Sequence, residues 1–189
     1  MPTDTKTALL DSAEQAARTL GFDAFSYADL ASEVGIRKAS IHHHFPSKAN
    51  LSVELMRRYL EKFEKQRADF KDNPKSGGTQ LTTFIKSYRD GMANGKRLCL
   101  CVSFTTSRES LPPEVGKLIH RFRTMMIEWL EAAFRDGHSD GSIINVTNPA
   151  MDAAATLSLL EGAQLAARAE ENPELFDNAV YLLKQRING

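Results

Sequence analysis

Ser26-Tyr27-Ala28-Asp29-Leu30-Ala31-Ser32-Glu33-Val34-Gly35-Ile36-Arg37-Lys38-Ala39-Ser40-Ile41-His42-His43-His44-Phe45-Pro46-Ser47-Lys48 decides the fold, because two short helical patterns meet there at one Gly-centred turn. That is how a helix-turn-helix reads in sequence. Ser26 is a good N-cap with Asp29 three residues on, and Leu30, Ala31 and Val34 supply an apolar stripe at helical spacing. Gly35 provides the backbone freedom of a sharp turn. A second helix starts near Lys38, with Ile41 and Phe45 four apart on its buried face, and Pro46 ends it. Ser40, His42, His43 and His44 turn at least partly outward. A helix carrying small and polar donors, flanked by Arg37, Lys38 and Lys48, suits a major groove better than a protein core.

Outside this stretch the chain has the size and composition of a folded protein: 189 residues with 42% apolar content bury a real core without staples. The formal net charge is zero, which argues against coating nucleic acid by bulk electrostatics. Any DNA contact must be local. From Gly35 to Lys48 the cations Arg37, Lys38 and Lys48 stand without an acid, whereas Asp4, Asp11, Glu14, Asp23, Asp29 and Glu33 lie upstream. This patch is thin for a single copy, so a dimer is expected. Cys99 and Cys101 are too close for an ordinary structural disulfide, which points to a reducing cytoplasm. No apolar run approaches the roughly 20 residues that span a bilayer, and the amino terminus lacks a signal-peptide layout, so a cytoplasmic protein without membrane partners is expected.

Nearly everything else reads as helix. Leu9, Leu10, Ala13, Ala16, Ala17 and Leu20 form an amphipathic first helix closing at Gly21, with Phe22 and Phe25 as apolar plugs, so a three-helix head occupies about residues 1–46. Ser47 caps a long rod whose apolar face runs through Leu51, Leu55, Met56 or Tyr59 and Phe63 toward Phe70. The rod ends at Asp72-Asn73-Pro74, with Ser76-Gly77-Gly78 as a loop. Leu81, Phe84, Ile85, Tyr88 and Met92 make the next stripe, broken at Asn94-Gly95, and Leu98 to Arg108 is read as a short helix. Pro112-Pro113 opens a helix carrying Val115, Ile119, Phe122, Met126, Trp129 and Ala133, expected to stop at Asp136-Gly137. Asn148 and Asn172 cap the last two helices, about 149–170 and 173–187, and the first of these is rich in small residues. The expected architecture is all-α with about nine helices: the head, then a body over residues 47–189.

The head resembles the TetR family of bacterial transcriptional regulators. The resemblance is carried in order by Ala-Glu-Gln in the first helix, Leu20-Gly21-Phe22-Asp23, Asp29-Leu30-Ala31 with Val34-Gly35-Ile36, and His43-His44-Phe45-Pro46-Ser47-Lys48, over about residues 6–58. It implies an all-helical homodimer with an N-terminal helix-turn-helix and a C-terminal ligand-sensing and dimerisation domain, repressing nearby genes from a palindromic double-stranded operator until a small inducer binds. It places Ser40, His42, His43 and Lys48 where the family contacts DNA, with Ser26 and Arg37 near the phosphates; Lys38 joins them by its charge and position. The family most often has Tyr where His42 stands and often a cation where Ala28 stands. It also implies that the terminal helical pair forms a four-helix bundle with its twin, through Ala154, Ser158, Gly162, Leu165, Leu175, Ala179, Leu182 and Leu183.

Facing apolar stripes of a helical bundle hold ligands, which makes Phe84, Tyr88, Met92, Cys99, Phe104, Phe122, Met125, Met126 and Trp129 candidates for lining an inducer pocket. His120 or Arg123 would anchor a polar end. The segment Cys99-Leu100-Cys101, Leu111-Pro112-Pro113 with Val115, and Trp129-Leu130 resembles one branch of the family, in which some members with a cysteine near this point respond to electrophiles or oxidants. A thiol sensor is therefore an alternative, and a helical adaptor using the head for protein contact is another. No metal or cofactor is expected, because three consecutive histidines project roughly 100° apart on a helix and cannot close on one ion alone. Nor is an enzyme: no phosphate loop, His-Glu helix motif or nucleophile elbow is present in the sequence.

Overall fold

The computed structural model describes residues 4–72 and 75–188. In chain order it contains α1 (Thr5–Leu20), a 3-10 turn (Phe22–Ala24), α2 (Tyr27–Val34), α3 (Lys38–His44), α4 (Lys48–Asp72), α5 (Gly77–Gly91), α6 (Leu100–Thr106), a second 3-10 turn (Arg108–Ser110), α7 (Pro113–Asp140), α8 (Pro149–Ala169), α9 (Glu174–Ala179) and α10 (Tyr181–Lys184). The all-helical expectation holds, with ten α-helices among the described residues instead of about nine. Asn73 and Pro74 of the expected break after the rod lie outside the described residues. The chain forms two compact units, Met1–Lys62 with Leu100–His120 and Phe63–Cys99 with Arg121–Gly189.

In the first unit the stripe predicted for α1 buries Leu9, Ala13 and Ala17 completely. Leu20, expected on that stripe, is instead 61% exposed. The chain leaves the helix at Gly21, and Phe22 takes the inward place, set edge-on to Phe25 at 5.7 Å and to Phe104 at 5.1 Å. Ser103 Oγ donates to the Ala17 carbonyl at 2.5 Å, so the last turn of α1 has one of its orphan carbonyls satisfied by α6. Arg58 of α4 pairs with Asp11 at 2.7 Å and Glu14 at 2.8 Å, tying the outside of α1 to the rod. Each large side chain buried here contributes about 1.5–3 kcal/mol, which makes this apolar interior, and not the exposed ion pairs, the main stabilising term.

In the second unit the buried Gln164 amide spans a gap between elements. Its Nε2 donates to the Tyr88 carbonyl at 3.1 Å, and its Oε1 accepts from the Cys99 N–H at 2.9 Å. Two expectations are corrected. Gly77 and Gly78, read as loop, open α5 with Ser76 as its N-cap, and α7, expected to stop at Asp136-Gly137, runs on to Asp140. The reason is tertiary: a Cβ on Gly77 would lie 2.1 Å from the Gly137 nitrogen, so the two glycines exist for close backbone approach and not for turns. The free N–H groups of α5 are then met by Asp140 Oδ2, from Gly77 at 3.0 Å, and by Ser142 Oγ, from Gly78 at 2.8 Å. Hydrogen bonds from the Ser142 hydroxyl and N–H, with a smaller contribution from the Gly77 N–H, hold the Asp140 carboxyl below its ordinary pKa.

The last helix, expected over 173–187, is two short ones with Val180 between them. The far end is held elsewhere. Asn188 N–H donates to the Ser142 carbonyl at 2.9 Å, Ile144 N–H donates to the Arg186 carbonyl at 2.8 Å, and the Arg186 guanidinium pairs with Asp152 at 2.7 Å.

Candidate nucleic-acid interface

The head is built on the cap the sequence predicts. Ser26 Oγ accepts from the N–H groups of Ala28 (3.2 Å) and Asp29 (3.4 Å), while Asp29 Oδ2 accepts from the Ser26 N–H at 2.7 Å and its hydroxyl at 2.8 Å. The two Ser26 bonds hold the Asp29 carboxyl below its ordinary pKa, with a smaller contribution from the charge of Lys48. Gly35 closes α2 in the left-handed region at φ 74°, its N–H on the Ala31 carbonyl, and Ile36 N–H reaches that same carbonyl at 3.0 Å. This tight return sets the direction of α3.

Behind α3, Ile41 and Phe45 are 0% and 1% exposed. Tyr27 O–H donates to the Phe45 carbonyl at 3.0 Å, and burial pushes its phenol up to about 12. In front, Arg37, Lys38, Ser40, His42 and His43 are exposed, as is Ser26 at the start of α2, while His44 is half-buried. The His42 ring lies edge-on to Tyr27 at 5.0 Å with Nδ1 3.3 Å from the Pro46 carbonyl. A carbonyl only accepts, so Nδ1 carries the proton in this contact. His42 therefore has a preset orientation.

Lys48 is not brought to this face with the others. Its ammonium is half-buried and donates to the carbonyls of Phe22 (2.6 Å) and Phe25 (2.5 Å), lying 4.3 Å from the Phe25 ring centroid and 4.7 Å from that of Phe22. Desolvation lowers its pKa, opposed by the charges of Asp23 and Asp29. It binds the turn before α2 to the first turn of α4, whose cap is Ser47, with Asn50 N–H on Ser47 Oγ at 3.1 Å. Among the described residues no group of three or more His, Cys, Asp or Glu side chains converges as a metal site would require.

The candidate pocket residues separate. Phe84, Met126 and Trp129 line a cavity of about 200 Å³ in the second unit, together with Phe63 and Phe70 of α4 and the polar residues Gln66, Asp69, Thr83 and Ser87. Tyr88 stacks on Phe84 at 6.0 Å, and Phe122 is edge-on to Phe63 at 5.2 Å, one layer behind. Met92, Cys99 and Met125 are buried without lining the cavity, and Phe104 belongs to the first unit against Phe22. Phe63 and Phe70 were legible as the far end of the rod's apolar face; Gln66, Asp69, Thr83 and Ser87 carried no sequence signal of a pocket. His120 and Arg123 are outside the lining, and Arg123 pairs with Glu161. Cys99 and Cys101 are buried thiols not joined in a disulfide, with Cys101 Sγ 3.9 Å from the Met56 sulfur.

Of the residues assigned to the terminal pair, Ala154, Ser158, Gly162, Leu165, Ala179 and Leu182 are exposed, Leu175 is half-buried and Leu183 is buried. Met151, Leu165, Tyr181 and Leu182 are large apolar side chains open to solvent at 70%, 44%, 58% and 76%. No helix of the described residues is long and apolar enough to cross a membrane.

Comparison with known proteins agrees with this geometry. Residues 9–55 match the family described as bacterial regulatory proteins, tetR family, a stretch running from α1 into α4. A search of curated proteins finds no match. Among solved structures, the chain is similar to a TetR-family transcriptional regulator from Agrobacterium tumefaciens, with 28% identity, TM-score 0.88 and 100% of both chains covered. It is likewise similar to a TetR transcriptional regulator from Legionella pneumophila, with 26% identity, TM-score 0.87 and 100% of both chains covered. A family match at the amino end, over residues 9–55, and a fold shared over the whole length make this chain similar to the tetR-family bacterial regulatory proteins.

Proposed function

We propose that this regulator is a repressor of nearby genes: a homodimer that holds a palindromic operator and lets go when a small-molecule inducer binds in its body. In this reading residues 1–46 are the DNA-binding head and 47–189 the sensing and dimerising body. The observation that carries it is the α3 face, where exposed Arg37, Lys38, Ser40, His42 and His43 stand on a fully buried Ile41–Phe45 back. Ser40, His42 and His43 reach base edges, while Ser26, Arg37 and Lys38 hold phosphates. Lys48 acts from behind, fixing the turn that aims α2 and α3.

Homodimer formation is supported by the solvent-facing side of α8, where Met151 and Leu165 lie along a row of alanines, Ser158 and Gly162. A Cβ on Gly162 would meet nothing within 4 Å, which leaves room for a partner helix. Two α3 helices about 34 Å apart read one face of B-DNA together. An inducer that binds better to a body with displaced heads shifts the population to the non-binding form, only by that difference in affinity. The thiol-sensing alternative has less support, since Cys99 and Cys101 are 3% and 2% exposed and lie outside the cavity lining.

The test is fluorescence anisotropy of labelled duplex from upstream of the chain's own coding sequence against random duplex, at several salt concentrations. A repressor prefers its upstream DNA by at least about a thousandfold, with affinity falling steeply as salt rises. Equal affinity for random duplex contradicts the reading.

A further inference from the structure

We infer that Tyr27 positions the reading face of α3: it fixes the direction in which His42 points, and so the base pair that α3 prefers. The inference rests on the DNA reading above and adds to it a residue that sets sequence preference without touching DNA. Helix α3 is seven residues long, about two turns, and a helix of that length does not hold its own shape in water. Arg37 at its N-cap gives no side-chain cap, so its geometry comes from its surroundings. Burial of Ile41 fixes where the helix lies. It does not choose a rotamer for an exposed ring on the other side, and His42 is such a ring.

Both contacts that remove this freedom lead to Tyr27. One is direct: the His42 ring stands edge-on to the Tyr27 ring at 5.0 Å and 65°. The other is the Pro46 carbonyl, 3.3 Å from His42 Nδ1. That carbonyl is placed by the residue before it. Phe45 leaves the helix in extended backbone (φ −134°, ψ 95°), with its N–H on the Ile41 carbonyl at 2.7 Å and its own carbonyl accepting from the Tyr27 hydroxyl at 3.0 Å. The peptide between Phe45 and Pro46 is planar and the proline ring fixes φ, so a single soft torsion separates the anchored Phe45 carbonyl from the one that holds His42. Tyr27 itself is 7% exposed, which makes it a positioning residue: it acts on DNA through His42. His43 provides the contrast, its ring set edge-on to that of His44 at 5.4 Å and 70°.

The experiment selects bound duplexes from a random DNA pool with the full chain, as wild type and as His42→Ala, His43→Ala, Tyr27→Phe and the pair Tyr27→Phe, His42→Ala. The two alanine variants show which base position each histidine reads. Tyr27→Phe keeps the ring and removes the anchor on Phe45; it is expected to flatten the preference at the His42 position by about threefold to tenfold and to leave the His43 position as in wild type. The paired variant should lose no more than His42→Ala alone, because the two residues act as one unit. A purely structural role gives another pattern: the folded fraction falls, affinity for every duplex drops by the same factor, and the relative preferences stay. That pattern, an unchanged His42 position, or additive losses in the paired variant overturns the inference. Should Tyr27→Phe fail to fold, nuclear Overhauser contacts between the Tyr27 and His42 rings in the wild-type chain on its selected duplex decide: their presence upholds the inference and their absence overturns it. The two readings fail differently. Enrichment by the wild type with no position altered in His42→Ala removes this inference alone, whereas no enrichment by the wild type removes the DNA reading and this inference with it.

Discussion

The faces of α3 and α8 both look outward over a buried back, but with opposite chemistry. On α3 the exposed groups are Arg37, Lys38, Ser40, His42 and His43; on α8 they are Met151 and Leu165 among small residues, and on α10 Tyr181 and Leu182. Polar donors lose little by remaining in water, so the α3 face needs no partner to be stable, and its attraction for one is ionic and weakened by salt. Apolar side chains gain about 25 cal/mol for each Å² removed from water, so the α8 face is stabilised by being covered, with little dependence on salt. In the proposed mechanism the first surface selects what is bound and the second sets the spacing at which it is read.

The largest expected effect lies behind the polar face. Phe45→Ala should destabilise the head by about 3–5 kcal/mol, lowering the urea midpoint and abolishing DNA binding, while light scattering still shows a dimer because the α8 surface is untouched. Loss of the dimer together with the head would mean that the two faces are not independent. Next comes the apolar face itself. Leu165→Glu with Leu182→Glu places charge where a partner should pack, and should weaken association by at least about 2 kcal/mol. Light scattering at micromolar concentration would then give monomers, with helix content retained and palindrome affinity reduced.

A smaller effect is expected at the cap that orients α2. Ser26→Ala should lower stability by about 1 kcal/mol in thermal melts near neutral pH. The folded Asp29 carboxyl is depressed by its Ser26 hydrogen bonds, so their stabilisation is present above the carboxyl's unfolded pKa and is lost as pH falls through the folded value. The difference between Ser26→Ala and wild type should therefore shrink in acid; a gap that widens there contradicts the capping box as the cause. Smallest of all, Lys38→Ala should leave the melting midpoint nearly unchanged and lower the slope of log affinity against log salt by about 1. An unchanged slope would remove Lys38 from the phosphate contacts.

The same contrast explains how far the sequence could be read. The Ser26–Asp29 box, the left-handed Gly35 and the Ile41–Phe45 back of α3 are local patterns, each contained within a few residues, and all three are present as expected. Gly77 and Gly137 were misread because a glycine that admits a neighbouring backbone looks the same in sequence as one that makes a turn. The end of the chain is held by hydrogen bonds from Arg186 and Asn188 to residues some forty positions earlier, which periodicity cannot register. Lys48 illustrates the limit at the site itself: its place in the motif was legible, but the inward course of its side chain onto the Phe22 and Phe25 carbonyls follows from packing. The cavity was half legible, since Phe84, Met126 and Trp129 lay on read stripes while Asp69, Thr83 and Ser87 are polar residues whose convergence is tertiary.

The most direct test of the proposed mechanism is selection of bound duplexes from a random DNA pool by the wild-type chain and by the Leu165→Glu, Leu182→Glu variant. The wild type should enrich inverted repeats whose half-sites are centred about one helical turn, or a multiple of it, apart, and the variant should enrich single half-sites weakly or nothing. Enrichment of the same inverted repeats by a variant shown to be monomeric, or no enrichment by the wild type, would contradict it.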